Sequence, residues 1–89
     1  MKGIITVVGK DKVGIIAKVC TFLSEENINI LDISQTIVQG YFNMMMIVDI
    51  DSAKSEFVEV VDCISKLGQE IGVDIRLQHQ AIFDNMHRI

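Results

Sequence analysis

The hydrophobic pattern of this chain switches several times between a period of two and a period near 3.6, and the switches mark six elements. Ile4 to Val8 is a β-branched run that stops at Gly9. It predicts a first strand with Ile4, Thr6 and Val8 on one face and Ile5 and Val7 on the other. The loop Gly9-Lys10-Asp11-Lys12 follows, and the Asp11 carboxylate can cap a helix by accepting bonds from first-turn amides. That helix carries Ile16, Val19, Cys20 and Leu23 on one stripe. It ends near Asn27, a residue that tolerates the left-handed conformation, with Ile28 packing back. Residues 30–38 alternate, with Leu31, Ile33 and Ile37 against Asp32, Ser34 and Thr36, the pattern of a half-buried strand. Gln39-Gly40 marks a reversal into Phe42–Ile50, where Phe42, Met44, Met46, Val48 and Ile50 line one face, so the two strands form a hairpin. Met45 and Ile47 add apolar surface on the opposite side.

Asp51-Ser52 reads as the start of a second helix, in which Phe57, Val60, Val61, Ile64, Leu67 and Ile71 recur at helical spacing until Gly72 stops the run. Val73, Ile75 and Leu77 then alternate with Asp74, Arg76 and Gln78 in a last strand. With right-handed crossovers, the order β-α-β-β-α-β predicts an α+β, ferredoxin-like βαββαβ sandwich. Its four-stranded antiparallel sheet has spatial order 4-1-3-2, with two helices on one face.

Eighty-nine residues leave room for one core only, placed in residues 1–80, with 81–89 as a tail beyond the last strand. In that tail Ile82, Phe83, Met86 and Ile89 recur at i, i+1, i+4 and i+7, the pattern of a short amphipathic helix. Such a helix needs a surface, and the sheet face without helices, read as Ile5, Val7, Met45 and Ile47, is the one expected to receive it, within its own subunit or across a dimer, the alternative being a frayed terminus. The second strand lies at a sheet edge with no Pro to protect it, which points to a homodimer.

A net charge of −4 and scattered lysines and arginines argue against direct nucleic-acid binding. No signal peptide or membrane-length apolar run is present in the sequence, so a cytoplasmic protein without membrane contact is expected. Cys20 and Cys63 share no metal-ligand spacing and are expected to be buried thiols.

The chemistry-bearing motifs are sparse. Gly9 and Gly14 have phosphate-loop spacing, but Ile15-Ile16 replaces the Lys-Ser/Thr pair such a loop requires. An acylphosphatase-like loop needs an Arg, and a heavy-metal carrier of this topology needs two thiols there; the loop holds neither. An RNA-binding sheet needs central aromatics, and only Tyr41 and Phe42 are available at one end. Met44-Met45-Met46 cannot converge on one ligand, because neighbours in a strand face opposite ways. His79 and His87 have no clustered acid or ligand partner in sequence, so a non-enzyme without cofactor or metal is expected.

The segment Val7-Val8-Gly9-Lys10-Asp11-Lys12-Val13-Gly14-Ile15-Ile16-Ala17-Lys18-Val19, followed by Asn27-Ile28-Asn29-Ile30-Leu31-Asp32, resembles the ACT-domain pattern. In that pattern a strand leads through Asp-x-x-Gly into an apolar helix and then an Ile-Asn-Ile strand. The likeness spans most of the chain and is nearest to stand-alone, single-ACT bacterial proteins related to the glycine cleavage system transcriptional repressor. ACT domains usually carry Pro before the Gly; Val13 stands there instead and can adopt the same backbone.

The resemblance implies a small regulatory domain that binds an amino acid or organic acid where the first loop of one subunit meets the start of the second strand of another. Carried over by position, Asp11, Lys12, Val13, Gly14, Asn29 and Ile30 are the expected ligand contacts. Gly14 permits close approach, first-turn amides suit a carboxylate, Asp11 accepts an amino group, and Asn29 both donates and accepts. The competing local roles are an N-cap for Asp11, a packing glycine at 14 and a turn residue at 29. The competing function is a ligand-free interaction or dimerisation module, and the protein partner is unknown in either case.

Overall fold

The computed structural model describes residues 1–10 and 14–79. Its elements are β1 (Lys2–Lys10), α1 (Ile15–Glu25), β2 (Asn29–Val38), β3 (Tyr41–Asp49), α2 (Phe57–Ile71) and β4 (Asp74–His79). The strands form one sheet in the order β2-β3-β1-β4, every pair antiparallel. This is the expected ferredoxin-like topology, counted from the other edge. The tail 81–89 and the loop residues Asp11, Lys12 and Val13 lie outside the described residues.

One face of the sheet and both helices enclose the core. Ile5 and Val7 of β1 stand opposite Met46 and Met44 of β3. All four are buried together with Val19 and Leu23 of α1 and Val60 and Ile64 of α2. This corrects the assignment of β1's faces. Ile5 and Val7 lie under the helices, and the open face instead carries Ile4, Thr6 and Val8 beside Ile47, Met45 and Asn43. The run Ile4–Val8 is apolar on both sides, so its own pattern does not say which side is inward; pairing with the strongly alternating β3 decides it.

Both helices begin later than expected. The N-cap of α1 is Gly14, with φ 90° and no side-chain cap bond, rather than Asp11. The stripe is therefore shifted by one residue: Ile15, Val19 and Leu23 are buried, and Ile16 is 37% exposed. The C-terminus follows the expectation closely. Asn27 has φ 60°, its N–H donates to the Ser24 carbonyl at 3.1 Å, and the Ile28 N–H donates to the Leu23 carbonyl at 2.9 Å. These are the two bonds of a Schellman motif, and Ile28 is buried beneath it. The second helix starts at Phe57 after an extended N-cap, Glu56, not at Asp51-Ser52, and stops at left-handed Gly72.

Gly68 explains how closely α2 approaches β4. A Cβ there would come within 2.8 Å of the Val73 carbonyl oxygen and 3.2 Å of the Ile75 nitrogen. The helix is thus drawn toward the β4 side of the sheet.

The opposite edge is bare. Apart from the half-buried Ile30, every residue of β2 is exposed, including Leu31, Ile33, Ile37 and Val38. The expected half-buried strand is therefore not found. A bulge between Ile30 and Asp32 also breaks the simple alternation. After it, Ile33 and Ile37 stand opposite Met46 and Phe42 on the helix side of the sheet, whereas Leu31 is the extra residue. Both cysteines differ from expectation too: Cys20 is half-buried at the edge of the core and Cys63 is exposed. Cys63 lies one position before the inward Ile64, a rotation of about 100° around the helix, which carries it outward.

Candidate ligand site

The residues proposed to touch a ligand fall at the two ends of α1. At its start, Gly14 holds a left-handed conformation, and a Cβ built there would meet nothing within 4 Å. Gly14 is therefore not a packing glycine within the chain; its conformation is what the backbone needs. An α-helix has unpaired amides in its first turn, and among the described residues no side chain caps them. Amides in this position are the kind that suit a carboxylate.

At its end, the Schellman turn leads into β2 and walls a cavity of about 520 Å³ lined by Leu23, Ser24, Asn27, Ile28, Asn29 and Ile30, with Cys20 and Ser52 at its margin. Leu23 and Ile28 in this lining are buried, and Ser24, Asn27, Asn29 and Ser52 bring hydroxyl and amide groups to it. The Asn27 side-chain amide donates to the Ser52 carbonyl at 3.0 Å, and the Lys54 N–H donates to the Glu26 carbonyl at 3.0 Å. These bonds tie the segment between β3 and α2 to the end of α1. Asn27 and Ser52 are functional candidates that sequence reasoning missed. Asn27 was read only as a helix terminator, and Ser52 joins the site through a contact 25 positions away in sequence.

Asn29 and Ile30 therefore share one cavity, and Gly14 is not in it. The 11-residue helix α1 separates them, a distance of about 16 Å at 1.5 Å per residue. The strand β2 runs back alongside α1, so that Ile16 and Ile37 border a second hollow near the Gly14 end.

Other titratable groups have local roles. Asp32 accepts from the Ile33 N–H at 2.8 Å, Asp49 accepts from the Asp51 N–H at 3.0 Å, and Asp51 pairs with the Met1 ammonium. His79 meets the Phe57 ring edge-on at 6.2 Å. On the exposed outer face of α2, a hydrogen bond to Asp62 at 3.1 Å raises the Lys66 ammonium above its ordinary pKa. Among the described residues no cluster of three His, Cys, Asp or Glu could hold a metal, and no helix is long and apolar enough to cross a membrane.

Residues 3–78 match the ACT domain family. This chain belongs to it. A UPF0237 protein of Bifidobacterium longum is 61% identical over 88 residues, covering 99% of this chain and 98% of its own. The solved ACT domain protein from Streptococcus pneumoniae is 47% identical, with TM-score 0.82 and 93% of each chain covered. A putative glycine cleavage system transcriptional repressor shares the fold at 23% identity, TM-score 0.74, over 86% of this chain and 44% of that one. The ACT domain is a regulatory type, and the likeness to the pneumococcal protein extends over nearly the whole of both chains.

Proposed function

We propose that this ACT domain is a regulatory, non-catalytic homodimer that binds an amino acid or a related organic acid at sites shared between two copies. The observation that carries the reading is the separation of Gly14 from Asn29 by the length of α1, beside a β-edge that is exposed and apolar. A two-fold axis along the α1/β2 edge runs the two helices antiparallel. It brings the Gly14 end of each copy to the Asn29 cavity of the other. The carboxylate of the ligand then lies against the first-turn amides of one subunit, and Asn29 of the partner holds its amino or hydroxyl group.

Asp11, Lys12, Val13 and Ile30 complete the proposed lining, with Asp11 opposite an ammonium group. Signalling follows from the shared site. A ligand that contacts both copies favours the paired state, and a protein partner that reads the paired state receives the signal. We place this activity in the cytoplasm.

The test is a thermal-shift and calorimetric screen of amino acids and small organic acids against the full-length protein. A ligand present at about 100 times its Kd stabilises the folded form by about 2.7 kcal/mol, a readable rise in Tm. Gly14→Asn retains access to the left-handed backbone while adding a side chain to the open space, and it is expected to weaken that ligand more than tenfold, as is Asn29→Ala. A ligand bound with unchanged affinity by both variants refutes the site. A screen without any stabilising compound favours the ligand-free dimerisation module.

A further inference from the structure

The cavity at the end of α1 has a one-sided charge environment. Its lining supplies uncharged groups, and among the described residues the Asn29 side chain makes no hydrogen bond. Charged groups stand next to that lining. Glu25 and Glu26 lie between the lining residues Ser24 and Asn27, Asp49 is the cross-strand partner of Asn29, and Asp51 precedes Ser52. The Met1 ammonium answers the two aspartates: it pairs with Asp51 and lies 4.0 Å from Asp49. The two glutamates have no such partner. Among the described residues neither makes an ion pair. Lys54, on the segment tied to this end of the helix, meets Glu26 through backbone atoms, and its side chain is exposed.

Two features strengthen the negative sign. A helix C-terminus carries partial negative charge, commonly offset by a Lys, Arg or His in the last turn. The last turn of α1 has no basic residue and closes on Glu25. One carboxylate oxygen of Glu26, Oε1, is also buried and accepts no hydrogen bond among the described residues. A cation brought near such a group offsets part of the penalty of leaving it unpaired, and an anion adds to it. The start of α1 has the reverse polarity, with no acidic residue in its first turn and amides that no described side chain caps.

We propose that the cavity is a cation subsite, which takes the ammonium of an α-amino acid and discriminates against a ligand with a hydroxyl, a keto group or a second carboxylate in its place. This choice of ligand class rests on the shared site proposed for two copies. The carboxylate lies at the start of one α1 and the ammonium at the end of the other, so the site recognises both charges of a zwitterion. An organic acid without an ammonium satisfies only the first end.

The cavity is tested on its own with a small ammonium probe, ethanolamine, and a small anion, glycolate, in amide proton–nitrogen correlation spectra of the full-length protein at fixed pH and ionic strength. Ethanolamine at millimolar concentration is expected to shift the amides of Ser24, Asn27, Asn29 and Ser52, and glycolate to leave them in place. No shift with ethanolamine, or equal shifts with both, overturns the cation subsite whether or not the copies pair. Glu26→Gln should weaken ethanolamine about two- to fivefold, the scale of a charge beside a helix end. Because Glu26 is partly buried, the exposed Glu25→Gln serves as a second variant with a smaller loss, and unchanged affinity in both also overturns the proposal. Calorimetry then compares each proteinogenic amino acid with its 2-hydroxy analogue, and the amino acid should bind about tenfold more tightly or better. A 2-hydroxy acid bound as tightly, with both Gly14→Asn and Asn29→Ala weakening it, overturns the ligand class and leaves the shared site standing. Ethanolamine shifts without any effect of Gly14→Asn on amino-acid affinity support the cation subsite and remove the shared site instead.

Discussion

The two strands of the central hairpin, β2 and β3, are joined by a two-residue turn and paired over most of their length, yet their surroundings are opposite. In β3, Phe42, Met44, Met46 and Val48 are each 4% exposed or less. In β2, Ile33 and Ile37 stand on the same side of the sheet as those residues but are 44% and 58% exposed. The difference lies in what covers the strands. Gly68 lets α2 lie close to β4, and Val19 and Leu23 of α1 are buried with β1 and β3, whereas Ile33 and Ile37 of β2 are left out of the core. Apolar residues at such an edge add little to the fold of one copy, and in the proposed dimer they are the surface that meets the second.

The sharpest test of this contrast substitutes one residue from each strand of the facing pair Met46 and Ile33. Met46→Ala opens a cavity in the packed core and is expected to lower unfolding free energy by about 3 kcal/mol. Ile33→Ala, measured by urea denaturation at a concentration too low for association, should cost less than about 1 kcal/mol. Equal losses would mean that the two strands are covered alike in the single subunit.

A smaller effect on the fold, and a larger one on assembly, is expected at Ile37. A lysine there keeps its charged end in water in an isolated subunit, so the dilute protein should unfold within about 0.5 kcal/mol of the parent. In the proposed dimer the same ammonium would be pressed into an apolar seam. Light scattering at high micromolar concentration should give the mass of a dimer for the parent and of a monomer for Ile37→Lys. A parent that is monomeric under those conditions removes the shared-site reading along with the dimer.

How much of this could be read from the sequence follows the same divide. The alternation of Phe42 to Ile50, the helical spacing of Val60 and Ile64, and the stop signals at Asn27 and Gly72 are local patterns enforced by the core, and each appears in the structure. The faces of β1 were not legible, since a run that is apolar on both sides has no period to orient it. The exposure of β2 was not legible either. Alternation reports which residues share a side, and nothing in the strand itself says whether a helix reaches that side. At the site, the Asp-x-x-Gly spacing located the start of α1 to within a turn, with the cap at Gly14. The cavity at the other end depends on Ser52, whose part in it is set by tertiary contact alone.

The smallest effect concerns Asn27, where β2 is joined to the covered part of the fold. Its φ of 60° suits Asn or Gly, and its side chain makes one bond, to the Ser52 carbonyl at 3.0 Å. Two substitutions separate these contributions. Asn27→Gly keeps the left-handed turn easy and removes only the exposed side-chain bond, so stability should fall by no more than about 0.5–1 kcal/mol. Asn27→Ala removes the same bond and adds the strain of a Cβ in the left-handed region, and should cost about 1–2 kcal/mol in chemical denaturation. The order of the two decides what the residue does. If Gly and Ala are equally damaging, the side-chain bond dominates and Asn27 acts chiefly by holding Ser52 at the cavity rim. If only Ala is damaging, Asn27 serves the helix turn, and the rim keeps its shape through the Lys54 N–H bond to the Glu26 carbonyl.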